Sequence, residues 1–305
     1  MIAHDDVGPW PSLHFVAGAA GPDTAASGYS RIYAFGDSLS DAGNDYIVSL
    51  GILPTGFIYS DGRFSNGPVW VQDLAKDLGL PTVTPSLAGG TDFAYGGAET
   101  GSETLHSVSP LDLPSQLAQF LVEDQHPSAN ALYTLSIGAN DVIDAIGDYA
   151  KSAATATADV VAAVKNEVQF IGSLAADGAR DFVVLNVPDL GKTPEEKADA
   201  AVATKLSALY DQDLSAAVQG LSAADHLSVH LLNAFGLIDA AVADPAAYGL
   251  KNVTTPVWTG NYENPFSGVL HATGAAQNGY LFFDSLHPTE TGHAAIANLA
   301  VAALT

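Results

Sequence analysis

A chain of 305 residues can bury a sizeable core, and 48% hydrophobic with 9% aromatic content excludes an intrinsically disordered chain. Its 34 acidic and 10 basic side chains leave a formal charge of −24 although only 14% of residues are charged, so the imbalance comes from scarce Lys and Arg, and the field opposes nucleic-acid phosphates and anionic membranes alike. With no cysteine, disulfides, thiolate nucleophiles, Cys-ligated zinc and iron–sulfur clusters are excluded.

Residues 1–30 are rich in Gly, Pro, Ala and His without periodicity and read as a peripheral lead-in. They carry no basic n-region, and Pro9, Pro11, Gly18 and Gly21 interrupt any apolar run, so no signal peptide is read there. No segment approaches the roughly 20 apolar residues that span a bilayer. From Arg31 onward, short apolar runs alternate with segments of helical period. The first strand is expected at 32–35, a weaker one at 92–95, and another at 131–137. Val161, Val164, Val168 and Ile171 then share a helical face, followed by a strand at 182–187. Leu206, Leu209, Tyr210 and Leu214 share a second face, before a strand at 227–232. After Pro288 a last helix carries Ile296, Leu299, Ala300 and Ala303 on its inner stripe.

Strands buried on both sides and separated by helices mean a parallel sheet. The expected fold is a three-layer α/β/α sandwich with a mostly parallel, flavodoxin-like five-stranded sheet of order 2-1-3-4-5, forming a single domain over 31–305. Two long aperiodic stretches, 51–67 and 251–279, carry Gly, Pro, Asn and aromatics and read as functional loops or as surface decoration.

Three motifs bear chemistry. The first strand runs into Gly36-Asp37-Ser38-Leu39-Ser40-Asp41, which would put Ser38 at a helix N-terminus, either as reactive hydroxyl or as N-cap. It is not a Gly-x-Ser-x-Gly elbow, since Ser40 holds the last position. Gly138-Ala139-Asn140-Asp141 ends the 131–137 strand, and across the switch point Asn140 would face Ser38 as an oxyanion donor; the alternative is a helix cap. In Asp284-Ser285-Leu286-His287-Pro288, Pro288 holds His287 extended, so Asp284 can reach Nδ1 and leave Nε2 for Ser38. His4, His14, His106, His126, His226, His230 and His271 lack such a setting and read as structural or solvent-facing. His287 and His293, with Glu290 between, fall out of helical phase, so no metal is expected.

Together these blocks resemble the GDSL family of the SGNH hydrolase superfamily, over nearly all of the chain after residue 30. The likeness extends to Gly62-Arg63-Phe64-Ser65-Asn66-Gly67-Pro68-Val69-Trp70, to Asp92-Phe93-Ala94-Tyr95-Gly96-Gly97-Ala98, and to Asn186-Val187-Pro188-Asp189-Leu190-Gly191. It is nearest the plant-type branch, which also holds bacterial secreted esterases and autotransporter esterase passengers. The resemblance implies Ser38 as nucleophile, His287 as base and Asp284 as its orienting acid. It implies an oxyanion hole of the Ser38 N–H, the Gly97 N–H (in preference to Gly96) and the Asn140 side chain. It also implies a serine esterase or lipase acting on small-molecule or lipid esters without a cofactor, in a secreted or cell-surface protein, a cytoplasmic one being the alternative. Acyl transfer to an alcohol, lipid or sugar by the same triad is the second reading; a non-catalytic adhesive module is the third. Tyr59, Phe64, Trp70, Trp258, Tyr262 and Phe266 are acyl-chain candidates or loop packing. The acidic surround favours imidazolium at His287, so the expected activity optimum is neutral to alkaline and sensitive to salt.

Overall fold

Alternation along the strands sorts their side chains to two opposite faces. Tyr33, Phe35, Tyr133, Leu135, Phe182 and Val184 enter one apolar core, whereas Ile32, Ala34, Leu132, Val183 and Leu185 enter another. A computed structural model describes residues 28–101, 111–123, 127–225, 227–261, 264 and 266–305. The expected lead-in, apart from its last three residues, and His4, His14, His106, His126, His226 and Tyr262 lie outside the described residues. The strands are β1 (Ile32–Gly36), β2 (Leu132–Ser136), β3 (Asp181–Leu185) and β4 (Ser228–Leu232), all parallel in the order β1-β2-β3-β4. In chain order the helices are α1 (Asn44–Val48), α2 (Trp70–Asp77), α3 (Leu113–Glu123), α4 (Ala139–Tyr149), α5 (Ala153–Ala176), α6 (Ala200–Asp225), α7 (Ala234–Ala243) and α8 (Glu290–Leu304). Residues of α3, α4, α5 and α6 fill the first core, and those of α2, α7 and α8 fill the second. The sheet is thus sandwiched as expected.

Among the described residues the sheet has four strands, not five. The stretch at 92–95 lies beside β1, where the second strand was expected, but makes only a bridge. Ala34 N–H donates to Thr91 O, Phe93 N–H to Ala34 O and Tyr95 N–H to Gly36 O, at 2.7–3.1 Å. The buried Asp92 carboxylate also accepts from Ala42 N–H (2.6 Å) and Ala94 N–H (3.0 Å), which binds this stretch to the turn after β1. On α5, Val161 is 46% exposed, and Val160, Ala163, Val164, Phe170 and Ile171 form the buried stripe. On α8, Ala303 is exposed, and Gly292, His293 and Ala297 face inward with Ile296 and Ala300.

Two glycines fix the ends of the strands that approach the site. At Gly36, φ is +131° and a Cβ would lie 1.9 Å from Ser136 O, so β1 and β2 can meet only without a side chain. Gly138, at φ +96°, would drive a Cβ to 2.3 Å from the Tyr210 ring. The Gln116 amide of α3 clasps the end of β1, accepting from Gly36 N–H at 2.9 Å and donating to Gly36 O at 2.8 Å.

Candidate active site

The chain leaves the C-terminal end of β1 through a single hydrogen-bonded turn, in which Ser40 and Asp41 N–H both donate to Asp37 O. Ser38 lies in that turn, and the first helix starts only at Asn44, so the expected helix N-terminus at Ser38 is replaced by the turn. The Ser38 N–H has no acceptor among the described residues. Asp41 builds the neighbouring strand of chain into the site. Its Oδ1 accepts from Gly43 and Asn44 N–H, and its Oδ2 accepts from Asp45 and Gly96 N–H, both at 3.2 Å. Gly96 N–H is therefore occupied, whereas Gly97 N–H has no acceptor among the described residues. Asn140, on the first turn of α4, donates from Nδ2 to Ala98 O at 2.8 Å and stands beside Ser38 and His287 at the rim of one cavity.

His287 arrives from the other end of the chain. Its backbone is extended, Phe283 N–H donating to His287 O at 2.7 Å, as Pro288 requires. Nε2 lies 2.8 Å from Ser38 Oγ, and Nδ1 lies 2.7 Å from Asp284 Oδ2. With Asp284 ionised, Nδ1 carries the proton and donates to the carboxylate, leaving Nε2 to accept from the serine hydroxyl. The segment is held by the 62–70 block. Phe64 packs on the His287 ring (centroids 5.1 Å), Ser65 Oγ donates to Pro288 O at 3.0 Å, and Asn66 Oδ1 accepts the first N–H of α8 at 2.8 Å.

Asp284 is buried, which alone raises a carboxyl's pKa, yet it is held below the ordinary value. The His287 charge and hydrogen bond, the Tyr59 hydroxyl at 2.5 Å and the His287 N–H outweigh the burial. For His287, burial lowers the pKa but is outweighed by Asp284, with Asp37 and Glu195 adding to the rise. Asp37 is pushed up to about 7 by burial, its Leu39 N–H contact holding it back. His293 is fully buried and accepts from Trp70 N–H at 3.3 Å; burial, then the charges of His287 and Arg63, push it down to about 3, so it stays neutral.

His287 and Asn140 separate two recesses of opposite character. One is a narrow apolar recess of about 40 Å3, with Leu185, Leu190, Leu237, Ile238, Phe282 and Ile296 among its walls. The other is an open cleft of about 590 Å3 with polar walls from Glu195, Thr259, Asn261, Ser267 and Ser285. Of the described aromatic acyl-chain candidates, Tyr59 lines the polar cleft and none lines the apolar recess. Trp70 is buried in the α2–α8 core with Nε1 on Ser40 Oγ, and Trp258 packs edge-on against Tyr59. Phe64 lies behind His287, and Tyr59 holds Asp284. Phe266 is 89% exposed. The aliphatic walls gave no sequence signal, since residues at strand ends and on α7 and α8 look like any other core positions.

A parallel α/β/α sandwich with serine, histidine and carboxylate hydrogen-bonded in series beyond the strand ends defines a protein of the acyl-hydrolysing or acyl-transferring class. The model of the GDSL-like lipase/acylhydrolase family matches residues 32–300, and the chain belongs to that family. A phosphatidylcholine-sterol acyltransferase of Aeromonas hydrophila is 28% identical, the match covering 88% of each chain. A GDSL esterase/lipase of Arabidopsis thaliana is also 28% identical, over 89% of each. A thermolabile hemolysin of Vibrio parahaemolyticus is 25% identical over 88% of this chain and 62% of its own length. No helix among the described residues is long and apolar enough to cross a membrane.

Proposed function

We propose that the protein is a carboxylic ester hydrolase in which Ser38 is the nucleophile, His287 the general base and acid, and Asp284 the group that orients and charges His287. The observation that carries this reading is the unbroken series Asp284 Oδ2–His287 Nδ1 (2.7 Å) and His287 Nε2–Ser38 Oγ (2.8 Å) at the junction of an apolar and a polar recess. Ser38 Oγ attacks the ester carbonyl carbon as its proton passes to His287 Nε2. The negative charge that develops on the carbonyl oxygen is met by the Ser38 N–H, the Gly97 N–H and the Asn140 amide. The free N–H of Gly97, beside the occupied one of Gly96, favours Gly97 as the donor. Collapse breaks the ester C–O bond and the leaving alkoxide takes the proton from Nε2. Water then repeats the sequence on the acyl-enzyme, giving the acid and regenerating Ser38. The acyl chain enters the apolar cavity and the alcohol leaves through the polar cleft.

A p-nitrophenyl ester series with the wild type and Ser38→Ala tests this. Hydrolysis by the wild type is expected, with loss of at least about 10³-fold in kcat for the variant. Equal rates for the two proteins would remove Ser38 from the chemistry. Acyl transfer is a second reading, supported by the acyltransferase relative and by a polar cleft wide enough for an acceptor alcohol. Added alcohol would then yield transesterified product at the expense of free acid.

A further inference from the structure

Most of the exposed large apolar side chains fall in two segments, 48–57 and 266–269, that meet at one point. Among the described residues, the large apolar side chains more than half exposed are Val48, Leu50, Ile52, Phe57, Phe266 and Val269, with Val122 apart on α3. Leu50 is 90%, Phe266 89% and Phe57 84% exposed. The two loops that supply the group of six touch through Phe57 and Phe266, whose ring centroids are 6.5 Å apart. No Asp, Glu, Lys or Arg occurs at 46–60 or at 264–283, although 14% of the chain is charged. Monomeric proteins rarely leave an apolar patch of this kind uncovered without a use for it.

The patch borders the candidate active site. Phe57 lies two residues before Tyr59, whose hydroxyl donates to Asp284. Phe266 precedes Ser267, whose carbonyl accepts from Trp258 Nε1 at 3.0 Å and which shares the polar cleft with Tyr59 and His287. Apolar tips around an uncharged rim, on a body of net charge −24, fit an apolar phase without negative headgroups. A second copy of the chain would bring −24 against −24, which disfavours self-association at low ionic strength.

We propose that this rim docks on an electrically neutral lipid surface, of zwitterionic or uncharged headgroups, with Phe57 and Phe266 as its anchors, and that docking presents esters to the polar cleft. The presentation step rests on the ester-cleaving reading above; the docking does not. Docking is therefore tested on Ser38→Ala protein by flotation with phosphatidylcholine vesicles at low salt. The protein is expected to float, and the same protein carrying Phe57→Ser and Phe266→Ser to partition about 100-fold less, roughly tenfold for each ring withdrawn from lipid. Phosphatidylglycerol vesicles are expected to bind less than phosphatidylcholine ones, the gap narrowing with salt. No flotation of the Ser38→Ala protein, or equal flotation of the triple variant, overturns the proposal. So does a concentration-dependent dimer in sedimentation that the two serine substitutions dissolve, which would give the patch to a second copy. Both rings are solvent-exposed, so with Ser38 intact the double variant should keep kcat/KM on water-soluble p-nitrophenyl acetate within about twofold. It should lose activity on a long-chain p-nitrophenyl ester dissolved in phosphatidylcholine vesicles. Flotation without cleavage of either ester by the wild type would sink the ester reading and leave the docking surface standing.

Discussion

Tyr59 is the residue whose place the sequence least suggests and whose removal says most about the site. Asp284 accepts its hydroxyl at 2.5 Å on the oxygen that also accepts from His287 Nδ1–H, while the other oxygen accepts from the Leu286 and His287 N–H groups. Four donors keep a buried carboxylate ionised and drain part of its charge from the imidazole. Tyr59→Phe keeps the ring against Trp258 and Phe283 and removes one donor. We expect kcat to fall about tenfold at little cost to KM, because Asp284 loses an anchor that fixes its orientation towards His287, and a hydrogen bond to a charged group is worth about 1.5–3 kcal/mol. The pH profile separates this role from packing. His287 must be neutral to act as base, and its pKa is raised, so the acid limb of kcat/KM should lie above the ordinary imidazole value. With the hydroxyl gone, Asp284 presents more charge to His287, and the limb should move to higher pH. An unmoved limb would reduce Tyr59 to a packing residue.

At the scale of elements, β3 and the first turn of α7 meet at the Asn186 side chain, which joins the apolar recess to the rest of the sheet. Its Oδ1 accepts from Ala234 N–H (2.6 Å) and Phe235 N–H (3.2 Å), and its Nδ2 donates to Asp211 at 2.7 Å. The next turn of α7 carries Leu237 and Ile238 into the cavity wall opposite α8. Ile238→Trp should shorten this cavity at the cost of about 1–3 kcal/mol of overpacking. We expect p-nitrophenyl acetate to be cleaved within about threefold of the wild-type rate, and the decanoate about 100-fold more slowly, in a chain-length series. An unchanged chain-length preference would place the acyl chain elsewhere. None of this wall was legible in the sequence, because Leu237 and Ile238 satisfy the apolar face of a helix whether or not a cavity lies beneath them. What was legible has a local cause. β1, β2 and β3 read correctly because both their faces are buried, and the Ser38, Asn140 and Asp284–His287 blocks lie at strand ends or before a proline, where local rules fix the backbone. The misreadings are long-range in origin. Asp92 serves the turn after β1 rather than a ladder, and Val160 displaces Val161 because Phe170 and Glu167 set the rotation of α5.

For the molecule as a whole, the excess of acid over base reaches into the interior. Burial pushes Asp37 up to about 7, and Glu167 and Asp211 up to about 8, with the Tyr210 hydroxyl and Val187 N–H respectively restraining the last two. In the unfolded chain these carboxyls lose their protons near pH 4. Between that value and their folded values the native state binds protons that the unfolded state does not, so stability falls as pH rises through 4 to 8. His287 acts in the same direction, its raised pKa adding stability below about 6.5 that is lost as pH climbs through the folded value. Asp284 opposes them only in acid: its lowered pKa contributes stability above about 4, lost as pH drops through the folded value. Self-repulsion of a surface at −24 strengthens the alkaline decline and is screened by salt. Calorimetry should therefore find the highest Tm near pH 4 and a decline towards pH 9. Glu167→Gln, whose amide oxygen still accepts from the Tyr210 hydroxyl and which has no titrating proton, should flatten that decline. Hydrolytic activity should run the other way, rising as His287 loses its proton, so that the working range is bounded by the charge of one histidine below and by the protons of buried carboxyls above. A Tm that climbs from pH 5 to pH 8 would mean that these carboxyls are ionised in the native protein and that their negative charge is balanced from within the fold.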